Sequence, residues 1–172
     1  MTSSPPRRSP GKDAMDSIDY LRDSLLFEEL TEEELARVAA IGRERTFEKD
    51  TEIIREDDMG DSLFLILDGS VRVYKTELSK EEEVINTLYV GDHFGEIALI
   101  DHQPRSATVV ANETCRMLEI KRDDFQRLLE TDDALALKIY RAFVQALCQR
   151  IRETTESFVF LKTMGNASRI VD

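Results

Sequence analysis

Five consecutive apolar residues, Leu63-Phe64-Leu65-Ile66-Leu67, run directly into Asp68-Gly69, and no other feature constrains the fold as much. An apolar run this short and continuous reads as a strand covered on both faces. Asp-Gly behind it is a strong hairpin signal. The partner strand, Ser70 to Thr76, alternates Val71 and Val73 against Arg72, so it buries one face. Similar short stretches recur from about Arg43 to Ile120. Thr51 to Arg55 precedes the acidic turn Asp57-Asp58-Met59-Gly60-Asp61. A charged loop, Ser79 to Glu83, leads to Val84–Tyr89, and Ser106–Ala111 and Arg116–Ile120 complete the set. Strands of this length and spacing predict a β-roll or jelly roll.

Helices flank that region. Ile18, Leu21, Leu25 and Phe27 give a loose apolar face. Thr31-Glu32-Glu33-Glu34 has the form of a capping box, with Thr31 capping and Glu34 reaching back. Leu35, Val38, Ala39 and Ile41 continue that helix, and Gly42 is placed to end it. Beyond Ile120, Phe125, Leu128 and Leu129 mark a short helix. Asp132 then caps a long one to about Leu161, a rod of about 45 Å. Along it Leu137, Tyr140, Val144, Leu147, Ile151, Thr154, Phe158 and Leu161 alternate spacings of three and four, a heptad seam. The seam suits a homodimer; the alternative is a stripe packed on the chain's own β-roll. The expected class is mainly β with flanking α: a tail over 1–13, N-terminal helices and β-roll over 14–122, C-terminal helices over 123–164, and a tail over 165–172.

Charge narrows the partners. The 172 residues carry a net charge of −12, and the first twelve hold Arg7, Arg8 and Lys12 without an acid, so the body is more acidic still. Nucleic-acid affinity rests on neutralising phosphates with Lys and Arg, which argues against a DNA-binding surface. The proline- and serine-rich start predicts a disordered tail, in which the RRSP stretch is either a modification site or plain linker. Without a long apolar run or a signal-like start, neither membrane insertion nor export is expected, and a cytoplasmic location is. Cys115 and Cys148 read as small buried hydrophobes.

The segment FGEIALIDHQPRSATVV, Phe94 to Val110, carries the chemistry. A cyclic nucleotide presents a charged ring phosphate, a ribose hydroxyl and an apolar base. Holding them takes an always-charged fork, a carboxylate acceptor and an apolar slot. Gly95 permits close backbone approach. Glu96 opens a short helix, Glu96 to Ile100, whose first amides, at Glu96, Ile97 and Ala98, favour an anion. Arg105 follows nine residues later, then Ser106 with a hydroxyl and Ala107 with a small side chain beside its amide. On residue types alone, Glu96 and Arg105 are equally an ordinary salt bridge across a turn.

This segment resembles the phosphate-binding cassette of cyclic-nucleotide-binding domains, as found in regulatory subunits of cAMP-dependent protein kinase, nucleotide-gated channels and the catabolite-activator family. DDMGDSLFLILDGSVRVYK looks like that family's glycine-punctuated strand pair and YVGDHFGE like its lead-in, so the likeness runs from about Ser17 to Leu161. The resemblance implies that Glu96 accepts from the ribose hydroxyl. Arg105, Ser106 and the amides near Ala107 would hold the phosphate, and Val73 and Leu88 would line the base. QRIRETTE, Gln149 to Glu156, is similar to the dimerisation helix of the catabolite-activator branch. There Thr154 and Thr155 would reach the base, one of them from a partner subunit, and Arg150 would face Glu96 and the ribose. In that branch a helix-turn-helix domain follows; here a hinge-like Lys162 to Asn166 precedes the final Asp172, so no direct DNA contact is expected.

These readings converge on a regulatory sensor, not an enzyme, that binds cAMP or cGMP (cAMP favoured) and signals through its C-terminal helix to an unknown downstream protein. The alternative is a ligand-free scaffold or a co-regulator of transcription on a degenerate version of the fold. A cupin-like metal enzyme would need clustered histidines, and the only two, His93 and His102, flank the cassette; no metal is expected.

Overall fold

A computed structural model of the chain describes residues 18–76 and 82–167. The expected N-terminal tail with its RRSP stretch, much of the charged loop at Ser79–Glu83, and residues 168–172 lie outside that range. Two four-stranded antiparallel sheets form the body. One has the order β1 (Gly42–Phe47), β8 (Cys115–Lys121), β3 (Ser62–Asp68), β6 (His93–Phe94). The other has the order β2 (Glu52–Ile54), β7 (Thr108–Ala111), β4 (Val71–Thr76), β5 (Glu82–Leu88). The helices are α1 (18–23), α2 (Glu32–Ile41), α3 (Glu96–Asp101), α4 (Arg122–Glu130) and α5 (Asp133–Ala167).

The continuous apolar run has the two dry faces it implies. Phe64 and Ile66 point into the roll with Val71, Leu88, Phe94, Val109 and Met117. Leu63, Leu65 and Leu67 point the other way, against Leu21, Leu35, Phe125, Leu135, Ile139 and Phe143 of the helices. A strand's side chains alternate, so one strand ties the two cores together. Asp68-Gly69 turns with Gly69 at a φ of 85°. Phe64 stacks on Phe94 across β3 and β6 with ring centroids 5.1 Å apart.

The capping box is present: Glu34 N donates to Thr31 Oγ1 at 3.3 Å and Thr31 N to Glu34 Oε2 at 2.7 Å. Asp132 Oδ1 accepts from the amides of Ala134 and Leu135, which starts α5 as expected.

Several expectations need correction. β1 and β6 were not recognisable as strands. β1 is exposed along most of its length and shows no apolar alternation, and β6 is only two residues long. Gly42 ends α2 but at a φ of −79°, not in the left-handed region; a Cβ there would lie 2.6 Å from Leu118, so close packing is what excludes a larger residue. In the first apolar face Leu25 is half-buried while Leu26 and Leu30 are buried. The expected hinge at Lys162–Asn166 is helical, inside α5, so the predicted C-terminal tail at 165 begins within the helix. Cys148 is exposed on α5, whereas Cys115 is buried inside the roll.

The seam is a separate face of α5. Leu135, Ile139, Ala142 and Phe143 bury themselves on the roll. Leu137, Tyr140, Val144 and Ile151 remain 49–65% exposed, and Leu147 is half-buried. The stripe is therefore not the chain's own core; the side chains of Phe158 and Leu161 lie outside the described set.

Candidate functional site

A cavity of ≈ 420 Å³ opens between the inner end of the β2-β7-β4-β5 sheet, the β6–α3 turn and the second half of α5. Its apolar part is built by Ile54, Val73, Ile85, Leu88, Phe94 and Val109. Gly95, Glu96 and Ile97 form one wall, Pro104, Arg105, Ser106 and Ala107 a second, and Arg150, Glu153 and Thr154 close it from α5. The chain thus brings together Gly95, Glu96, Ile97, Arg105, Ser106, Ala107, Val73, Leu88, Arg150 and Thr154. Thr155 stays outside the cavity, exposed, donating to Ile151 O at 2.8 Å. Ala98 sits in α3, and its side chain lies outside the described set. Ile54, Ile85, Asn86, Phe94, Pro104, Val109 and Glu153 were not singled out from the sequence. Val109 lies within the cassette segment itself, but nothing local links Ile54 to that segment, which begins 40 residues later.

Arg105 is 6% exposed, yet it makes no ion pair with Glu96. Its Nη1 donates to Gly95 O at 2.9 Å and its Nη2 to Ser62 O at 2.8 Å. The backbone around it is clamped: Arg105 N donates to Asp58 O at 2.8 Å and Asp57 N to Arg105 O at 3.0 Å. Two glycines make room for the guanidinium. A Cβ at Gly60 would lie 2.4 Å from Arg105 Nε, and one at Gly95 2.5 Å from Arg105 Nη1. Gly95 also holds a φ of 83°, which only glycine adopts without strain. The close approach at Gly95 therefore serves the arginine, where the sequence suggested a ligand. Burial pushes the guanidinium downward from its ordinary range, with Asp61 opposing; an arginine so far above neutrality remains charged. Two carbonyls satisfy part of a five-donor fork and leave donors for an anion in the cavity.

Glu96 pairs elsewhere. Its carboxylate is 3% exposed and accepts from Arg150 Nη1 of α5, whose own side chain is 42% exposed. A buried carboxylate without a partner is costly, so this contact across 54 residues ties α5 to the mouth of α3. The salt bridge across a turn is thereby excluded as the role of Glu96 and Arg105. On α5, Thr154 Oγ1 donates to Arg150 O at 2.8 Å. Its proton is committed, so toward the cavity that hydroxyl is an acceptor. Gln149 Nε2 donates to Glu153 Oε1 at 2.9 Å.

Among the described residues no group of His, Cys, Asp and Glu is placed to hold a metal ion, and no helix is long and apolar enough to cross a membrane. Arrayed around one cavity are an apolar slot, a buried cationic fork with spare donors, and a buried carboxylate reached from α5 by Arg150. That set can hold an anion, a hydroxyl and a flat apolar ring together.

The model of the cyclic nucleotide-binding domain matches residues 44–132. Isozyme 1 of the cGMP-dependent protein kinase of Drosophila melanogaster is 40% identical over 116 residues, covering 66% of this chain and 15% of the kinase. The cyclic AMP receptor protein of Thermus thermophilus is 30% identical over 133 residues, covering 77% of this chain and 60% of the receptor. The chain thus spans less than two thirds of either relative. Among solved structures, a cyclic nucleotide-binding domain from Methylobacillus flagellatus superposes with a TM-score of 0.77 at 28% identity, covering 86% of this chain and 83% of that one.

Proposed function

This chain belongs to the cyclic nucleotide-binding domain family, and on that premise we propose that it is a receptor for a cyclic mononucleotide, cAMP before cGMP, that signals through α5. The observation that carries the proposal is the single cavity into which Arg105, Glu96 and an apolar slot all open. In it the spare guanidinium donors of Arg105, with Ser106 and the Ala107 amide, take the phosphate. Glu96 takes the ribose hydroxyl, and Val73 and Leu88 take the base. Thr154, an acceptor toward the cavity, suits the exocyclic amino group of adenine; the relative named as a cyclic AMP receptor supports the same choice.

Signalling follows from one contact. Arg150 holds Glu96, the same carboxylate that the ribose would address. Ligand and α5 therefore share an acceptor, and occupancy shifts α5 by no more than the differential affinity for its positions. The exposed seam of Leu137, Tyr140, Val144 and Ile151 is where two copies meet, with Thr155 turned toward the partner's cavity. The output is a changed contact with a downstream protein, in the cytoplasm, without chemistry at the site and without direct DNA contact.

Calorimetry with cAMP and cGMP tests the proposal. Saturable binding is expected, tighter for cAMP, weakened by one to two decades or more in Arg105→Ala, since a charge-assisted hydrogen bond is worth about 1.5–3 kcal/mol. Because Arg105 also braces Gly95 and Ser62, Glu96→Gln is measured beside it as a variant with the arginine intact. No heat with either nucleotide at high micromolar concentration, in protein with a cooperative melt, removes the proposal.

A further inference from the structure

His93 is a buried titratable group that ligand binding does not use. It is 8% exposed, and its Nε2 has no hydrogen-bond partner. Its direction is set by register. His93 pairs with Leu65 across β6 and β3, as Phe94 pairs with Phe64. Phe64 and Phe94 face the roll, whereas Leu65 belongs to the core beneath α5 with Ile139 and Phe143. His93 therefore lies on the helix side of the sheet, under α5, three residues before Glu96.

The charges acting on it come from three places: Glu96 at the start of α3, Arg150 on α5, and Asp92 in the turn before β6. Across β3 its partner Leu65 is apolar. Burial pushes the imidazole below its ordinary range, Glu96 and Asp92 oppose, and Arg150 adds to the depression. With Arg150 seated on Glu96, a proton on His93 would meet a neighbouring cation and an already occupied carboxylate. With Arg150 withdrawn, the same proton would find Glu96 free.

We propose that His93 makes the seating of α5 depend on pH: protonated, it gives Glu96 a second cation and loosens Arg150. The sign is determined by that arrangement. The seated state holds His93 neutral and binds fewer protons than the unseated one, so acidification favours release and rising pH favours docking. The device acts in the absence of nucleotide, so it stands or falls separately from the ligand reading.

The test uses the full-length chain without nucleotide. The two histidines, buried His93 and exposed His102, give two imidazole resonances. His93 is expected to titrate at higher pH in Arg150→Met than in the wild type, and at lower pH in Glu96→Gln. A nitroxide on Cys148, exposed two residues before Arg150, is expected to gain mobility as pH falls below about 6.5, the ordinary imidazole value, because burial holds His93 lower in the seated state. That gain should vanish in both His93→Gln and His93→Phe, each checked for a cooperative melt. Should the His93 titration stay put in Arg150→Met and Glu96→Gln, or the label's pH response persist in both His93 variants, the proposal is wrong.

Discussion

Arg105 illustrates how a residue type underdetermines a role. The charge that suits a phosphate is buried, and it is held in place by two carbonyls, Gly95 O and Ser62 O, and by two glycines that leave space for it. Gly60 is the sharper probe of the pair, because its backbone is not left-handed. Gly60→Ala places a methyl 2.4 Å from Arg105 Nε and must displace the guanidinium. The guanidinium that yields is buried and braces two carbonyls, so stability should fall by about 1–3 kcal/mol and nucleotide affinity roughly tenfold. Paired calorimetry and thermal melts separate the two effects. His93 carries a stability signature as well. In the unfolded chain it titrates near about 6.5, and burial lowers it in the fold. The unfolded state therefore binds more protons as pH falls below about 6.5. Stability from keeping His93 neutral is complete above that value and declines as pH drops toward the folded one. Urea midpoints measured against pH should fall less steeply in His93→Gln than in the wild type over that interval.

At the scale of elements, α5 has two faces with different work. One face is glued to the roll, the other carries an apolar seam in the open. Adjacent residues test the division. Phe143 is 1% exposed and meets Phe125 edge-on with centroids 6.0 Å apart. Phe143→Ala should cost about 3–5 kcal/mol of stability in urea titrations. Val144, the next residue, is 60% exposed. Val144→Glu should change monomer stability by less than about 0.5 kcal/mol, yet sedimentation should show the proposed dimer lost, since a charge enters the seam. If both variants lower stability equally and neither alters mass, the seam is not an interface.

For the whole molecule, the Glu96–Arg150 pair joins the far half of α5 to the cavity; under the proposed function, binding and helix position are therefore one equilibrium. A nucleotide at a hundred times its Kd should stabilise the fold by about 2.7 kcal/mol. Thermal melts with and without ligand measure that shift, and Arg105→Ala should lose it. β3 fixes the cassette relative to the helices because it faces both cores.

Local pattern was sufficient for a large part of this. Leu63–Leu67 with Asp68-Gly69, the Thr31–Glu34 box, the Asp132 cap and the α5 seam are all patterns readable within short windows, where period and turn chemistry dictate the outcome. β1 and β6 lacked any such signal, one being exposed on both faces and the other too short. Glu96 and Arg105 were visible as residue types at a spacing, but that spacing left open whether they would meet each other or a ligand. Which partners they take was decided by packing. Arg105 reaches Ser62 across 43 residues and Glu96 reaches Arg150 across 54. Ile54 and Ile85 join the cavity only because two sheets close over it. Such contacts are set by how whole elements dock, a balance of burial and space that no short window of sequence contains.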